Sequence, residues 1–430
     1  MRNSIHCIVV SVLILGLCLV SSCNKEVFNV NDYERIVDFA SPIDSIDAQH
    51  TWNLFSIRQL SVTANAGSGA VRAYVLSSNP LTDSNSEILA QVPISDGETK
   101  SLSVSIPLDE TGLYAALLDD AGTYTITQIP DGSSSFDFSS PLAVKQGLTT
   151  LPKLQRFTYC FEEEMPVPGD YDYNDIILRV SQEPVNERQI QLHVELSAVG
   201  GMKQLGAGIR LLDYQFLQID SVTTENGELF SLGGSNYDQP APTGILHIWK
   251  STELLQEGLH QEPVIYLFDD AHWAMGDNIT VQNSDFTRKK YNVTKNSSTS
   301  AELLPERIIT YNIYFKEGVK TDNFSLGSLD VFMLESYNGS YWEVHSYEHR
   351  SAQATYEYTL PNTLKMHLPW GLVIPYSYFR YPLEGNNIGF MKDGTSFGSY
   401  LTKGHSFGEW AMDASQYHDW YLYPAQNQVY

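Results

Sequence analysis

Cys160-Phe161-Glu162-Glu163-Glu164-Met165-Pro166-Val167-Pro168-Gly169-Asp170-Tyr171-Asp172-Tyr173-Asn174-Asp175 runs straight into Ile176-Ile177-Leu178-Arg179-Val180. The first part holds seven carboxylates or carboxamides within fourteen residues. The second is an apolar, β-branched run of the kind that fills a core strand. An acidic loop therefore opens onto a buried strand. Carboxylates at alternate positions repel one another unless something positive lies between them. A hard cation with oxygen ligands, calcium above all, suits such a set.

The one-three-five spacing of Asp170, Asp172 and Asn174 imitates the start of a calcium-binding loop, with Asp175 directly after it. It is not an EF-hand: Asp175 stands at position six in place of glycine and Ser181 at position twelve in place of glutamate. Further ligands have to come from elsewhere, with Glu163 or Glu164, backbone carbonyls and Asp269-Asp270 as the candidates. The alternative is an Asx-rich turn whose side chains cap backbone amides ahead of the strand. Calcium is thus the expected cofactor on one reading, and no ion is needed on the other.

Outward from this stretch the chain reads as all-β. Leu60-Ser61-Val62-Thr63-Ala64, Val71-Arg72-Ala73-Tyr74-Val75 and Leu102-Ser103-Val104-Ser105-Ile106 alternate apolar and polar residues. Asn65-Ala66-Gly67-Ser68-Gly69 and Asp109-Glu110-Thr111-Gly112 interrupt them with turn chemistry. Tyr114 to Leu118 and Tyr124 to Thr127 flank Asp119-Asp120-Ala121-Gly122, which reads as a hairpin. Residues 46–150 form a small sandwich on this pattern. Residues 151–430 form a larger β-rich, sandwich-like domain with long loops, marked by strands such as Ile190 to Leu196 and Ile308 to Phe315. Ser251 to Leu259 and Gly408 to Ser415 are the short helix candidates.

The N-terminus carries an address. Residues 1–22 read as a signal peptide, with Arg2 ahead of an apolar run from Ile8 to Val20 that is short for a membrane span. Leu19-Val20-Ser21-Ser22-Cys23 has the pattern of a bacterial lipobox, which makes Cys23 the acylated N-terminus and the lipid anchor to the membrane. Asn24-Lys25-Glu26 resembles the short lysine-acidic signal that sends lipoproteins of the Bacteroidetes to the outer face of the outer membrane. The periplasmic face is the alternative. Residues 23–45 read as a polar tether. Cys7 and Cys18 leave with the signal, so Cys160 alone remains, no intramolecular disulfide can form, and the fold rests on its core.

Composition narrows the partners. Twenty-six basic residues stand against 51 acidic ones, a net charge of −25, which makes nucleic acid a poor partner. No serine-nucleophile motif, phosphate-binding glycine loop or Cys/His constellation appears, and a glycosidase would need two opposed carboxylates that the sequence does not pair. His345 and His349, with Glu343 and Glu348, have metal-like spacing, but in an extended segment such side chains lie too far apart for one ion. Trp370, Tyr376, Tyr378, Phe379 and Tyr381 suit either a sugar face or a core.

Phe161-Glu162-Glu163 followed by Pro168-Gly169-Asp170-Tyr171-Asp172-Tyr173-Asn174-Asp175 resembles the signature of the LruC domain of bacterial surface proteins. Further matches include Gly206-Ala207-Gly208-Ile209-Arg210-Leu211, Val264 to His272, Leu329-Asp330-Val331-Phe332, His367-Leu368-Pro369-Trp370, Tyr381-Pro382-Leu383-Glu384 and Asp419-Trp420-Tyr421. The resemblance spans about 155–425 and implies a β-rich extracellular domain without known enzymatic activity. The expectation is an adhesin-like, non-enzymatic surface binding protein with a glycan or a host or matrix protein as ligand. Glycan capture for nutrient uptake and a structural role in the envelope are the alternatives.

Overall fold

Alternation of apolar and polar residues sets most of the strands. In Gln189–Ala198, Ile190, Leu192 and Val194 are fully buried, while Gln191 and His193 between them are half-buried. The structure is a computed structural model that describes residues 43, 46–146, 152–163, 169–230, 254–258, 261–276, 288–295, 301–337, 340–346, 368–389 and 398–430. The signal peptide, Cys23, Asn24-Lys25-Glu26 and nearly all of the tether lie outside these residues, as do Glu164, Glu348 and His349.

The fold is all-β with few short helices. Residues 55–154 build two sheets. One has three strands, with Phe55–Thr63 between Thr99–Pro107 and Ser135–Asp137. The other has six, in the spatial order Ala143–Gln146, Thr123–Ile129, Leu113–Asp119, Ala70–Leu76, Glu87–Pro93 and Lys153–Leu154. The hairpin at 119–122 is present, with Leu118 opposite Tyr124. Leu60, Val62, Val75, Leu102, Val104, Ala115 and Phe136 share the core of this part.

Three further sheets follow among the described residues, the smallest being the parallel pair Lys290–Tyr291 and Ala301–Glu302. The six-stranded one runs Ile219–Thr224, Arg307–Phe315, Gln189–Ala198, Ile176–Asn186, Phe157–Phe161 and Gly371–Ile374. The five-stranded one runs Leu255–Glu257, Pro263–Phe268, Leu205–Leu211, Leu329–Tyr337 and Ser340–Val344. Leu255–Glu257 corrects the helix expected from Ser251 to Leu259: the segment pairs antiparallel with Pro263–Phe268, and its backbone bonds go across the hairpin. The helix expected near Gly408 is found at Phe407–Met412, capped by Ser406, whose hydroxyl accepts from the Glu409 amide.

An aromatic core lies at one end of the six-stranded sheet. It joins Tyr171, Tyr173, Phe379, Tyr381, Tyr400, Phe407, Trp410 and Trp420 with the buried thiol Cys160. Ile43, Ile46, Trp52 and Leu54 belong to the same cluster, so the chain enters this core before it builds its first sheet. Trp370, Phe379 and Tyr381 are buried, which is the core reading of that aromatic group.

Candidate functional site

The acidic stretch is the connection of a hairpin. Phe161 pairs with Ile176 across the strands Phe157–Phe161 and Ile176–Asn186, so Glu162 and Asp175 flank the mouth of the loop. The Asp175 amide donates to the Phe161 carbonyl at 3.2 Å, and the Glu163 amide donates to Asp175 Oδ2 at 2.6 Å. A register shift between Ile177 and Leu178 where they oppose Ala198 and Leu196 marks a bulge beside the site. Just beyond it, the Gly200 amide donates to the Asn174 carbonyl at 2.9 Å.

The loop backbone is shaped around Glu162. Tyr171 and Tyr173 have φ of 57° and 52°, the left-handed region that aromatic residues rarely adopt. Their amides donate to Glu162 Oε1 at 2.9 Å and Oε2 at 3.0 Å. A carboxylate cradled by backbone amides in this way offsets the strain of the two left-handed residues. The tyrosine side chains go to the core, where the Tyr173 hydroxyl donates to the Pro369 carbonyl at 2.7 Å. Gly169 is required by close approach: a Cβ there would sit 2.0 Å from Glu162 Oε1.

Carboxylate oxygens of Glu162, Asp170 and Asp172 all lie within 4.8 Å of one another. Glu162 and Asp172 are 2% and 1% exposed, whereas Asp170 faces solvent. Asp172 also caps backbone: Oδ1 accepts from the Asn174 amide at 3.2 Å and Oδ2 from the Gly385 amide at 2.7 Å. Capping and cation binding are compatible in the same residue, because each carboxylate oxygen has two lone pairs. Burial raises Glu162, Asp172 and Asp175 well above the usual carboxylate range, and repulsion from the neighbouring acids raises them further.

Glu162, Glu163, Asp170, Asp175 and Glu384 line a cavity of about 170 Å³ together with Gly169 and Lys290. One ammonium therefore faces five carboxylates. Lys290 pairs with Glu384. Burial works to lower the lysine, but Glu384, Asp175 and Asp172 raise it above its ordinary value. Glu163 is anchored from the far side, accepting from the amides of Met202 at 3.1 Å and Lys203 at 3.0 Å. The donor set is all oxygen and mostly anionic, which fits calcium and does not fit a soft-ligand metal such as zinc.

The candidates named from sequence divide in the structure. Asp170 and Asp172 meet at one point, while Asp175 and Glu163 line the same cavity. Asn174 is fully buried, and its side-chain amide donates to the Pro382 carbonyl at 3.2 Å. Asp270 is committed elsewhere: it caps the helix Ala271–Met275 through the His272 amide and pairs with Arg288 at 2.6 Å. Asp269 and Asp270 are buried, and neither lines the cavity. His345 is held between Asp330 at 2.9 Å and Glu343 at 3.2 Å, in a cluster that also contains Arg210. Tyr376 and Tyr378 cross at 69° and do not form a coplanar pair.

Glu162, Lys290 and Glu384 were not foreseen as site residues. Glu162 was accessible in principle, because a hairpin pairing Cys160 with Ile177 places residue 162 at the loop mouth. Lys290 and Glu384 lie more than a hundred residues further on, and although Glu384 ends the matched segment Tyr381-Pro382-Leu383-Glu384, nothing local ties either residue to the loop.

Several comparisons bear on the chain. No curated protein matches it. A crystal structure described as a "putative lipoprotein" from Bacteroides ovatus is 14% identical, with a TM-score of 0.49, and the match covers 84% of this chain and 99% of that one. A family model described as a domain of unknown function, DUF4842, matches residues 188–421, starting just after the acidic loop. That is more than half of the sequence, and the chain belongs to the DUF4842 family.

Proposed function

We propose that this chain is a lipid-anchored surface protein that binds a partner, adhesin-like and without catalysis of its own, and that calcium fixes its acidic loop. The observation that carries the ion is the meeting of Glu162, Asp170 and Asp172, two of them buried, with Glu162 and Asp170 lining a cavity where, among the described residues, one lysine faces five acids. Glu162, Asp170 and Asp172 would hold calcium, with Asp175, Glu163 and Glu384 near enough to contribute charge. The ion would neutralise carboxylates that burial otherwise drives towards protonation. Its role is to stiffen the loop.

The anchor rests on Leu19-Val20-Ser21-Ser22-Cys23, and surface display on Asn24-Lys25-Glu26 and the LruC-like motifs. Among the described residues no helix is long and apolar enough to cross a membrane, and attachment through lipid on Cys23 needs none. The partner is a glycan or a host or matrix protein.

The test is thermal unfolding of residues 24–430 with millimolar calcium and with chelator. Saturation a hundredfold above the dissociation constant adds about 2.7 kcal/mol, which is a shift of several degrees. Asp172→Ala removes the shift. Equal melting in both conditions for the unaltered protein overturns the ion. Palmitate labelling lost in Cys23→Ser, with protease access on intact cells, tests the address.

A further inference from the structure

Ile43 and residues 46–54 occupy an unexpected place. Ile43, Ile46, Trp52 and Leu54, all under 8% exposed, sit in the aromatic core with Phe407, Trp410 and Trp420. Trp52 lies edge-on to Trp410 at 5.5 Å and stacks with His50 at 3.9 Å. The Asp47 amide donates to the Ala411 carbonyl at 2.8 Å, and Asp47 Oδ2 accepts from the Ala414 amide at 3.2 Å. The Trp52 amide donates to His50 Nδ1 at 2.9 Å, which leaves the ring proton on Nε2, and that proton goes to the Trp410 carbonyl at 3.0 Å. Trp52 itself is left-handed, with φ of 61°. A bulky residue keeps that conformation only where its surroundings hold it.

The chain leaves this core at Leu54 and returns at Cys160, and between those points Phe55 and Phe157 touch with ring centroids 5.0 Å apart. Every strand of the first two sheets lies between those points. We infer that Ile43 and residues 46–54 are a clamp fastened into the aromatic core, and that residues 55–154 are a lobe inserted in the chain between clamp and core. A pull on the N-terminus then loads the core around Trp410 and not the inserted sheets. This core also seats Tyr171 and Tyr173 of the acidic loop: the Ile388 amide donates to the Tyr171 carbonyl at 2.8 Å, and Gly389 packs under Ile43. The clamp stands on geometry alone and holds whether or not the loop takes calcium.

Hydrogen exchange on the full chain tests it, using His50→Ala and, as the counterpart inside the lobe, Val104→Ala. His50→Ala is expected to speed exchange at least tenfold in Phe407–Met412 and Gly371–Ile374, leaving Ala70–Leu76 and Thr123–Ile129 at their original rates. Val104→Ala is expected to do the reverse. The inference is overturned if His50→Ala speeds only residues 46–54, or if either variant speeds both regions equally. Should His50→Ala fail to fold, the milder Asp47→Ala carries the same comparison.

Discussion

Glu162 Oε2 accepts a hydrogen bond from the backbone amide of Tyr173 at 3.0 Å, and that bond ties a buried acid at the loop mouth to a residue with positive φ. The acidic loop is therefore organised from within, by a carboxylate that its own backbone encloses. Replacing Glu162 by Ala leaves the Tyr171 and Tyr173 amides without acceptors in a buried setting. Each orphaned donor costs about 1–3 kcal/mol. Chemical denaturation in chelator should show Glu162→Ala destabilised by several kcal/mol, with its calcium response gone. A variant as stable as the parent would mean that the cradle contributes nothing.

Asp270 is fully buried, and although burial works to raise its carboxyl, hydrogen bonding to His272 and the Arg288 guanidinium beside it hold it below the ordinary value. Removing Arg288 leaves that charge without its cation, which typically costs about 3–5 kcal/mol. Lys289 pairs with Glu302 nearer the surface, where such pairs contribute about 0–1 kcal/mol. Urea midpoints should thus fall steeply for Arg288→Ala and little for Lys289→Ala.

Local pattern made much of this fold legible. Period-two alternation located Gln189–Ala198 and Arg307–Phe315, and turn residues located the hairpin at 119–122. The acidic loop announced itself because charge density followed by a β-branched run survives without tertiary context. What stayed hidden depends on distant residues. Leu255–Glu257 looked helical because its partner strand, not its own period, decides its state. Asp269-Asp270 read as a candidate ligand pair because nothing nearby in sequence names Arg288 as the counter-ion of Asp270. Lys290 and Glu384 reach the cavity from distant parts of the chain, Lys290 from the short strand Lys290–Tyr291 and Glu384 from a turn.

Cys160 is 1% exposed, and burial pushes its thiol far above the range in which a thiolate forms. It should therefore resist a thiol reagent such as 5,5′-dithiobis(2-nitrobenzoate) in the folded protein and react fully once denaturant opens the aromatic core. Rapid reaction without denaturant would place the thiol at the surface. Because Cys160 packs in the cluster that holds Trp52, its labelling rate also reports on the clamp.

His345 gives stability a dependence on pH whose sign can be worked out. Burial alone would lower the imidazole, but Asp330 and Glu343 on either side raise it from 6.5 to about 9. A group whose folded value is raised contributes in full below its unfolded value and loses the contribution as pH climbs through the folded one. The stabilisation is thus complete below about pH 6.5 and disappears between there and pH 9. Its size, at 1.36 kcal/mol per unit, is on the order of 3 kcal/mol. His345→Gln cannot carry the charge and leaves Arg210 as the cation facing both Asp330 and Glu343 in a buried setting. Denaturation free energies measured from pH 6 to pH 9.5 should fall for the parent and stay nearly flat for His345→Gln, so that the two curves converge at the alkaline end. Parallel curves would show that the imidazole does not carry its proton across that range.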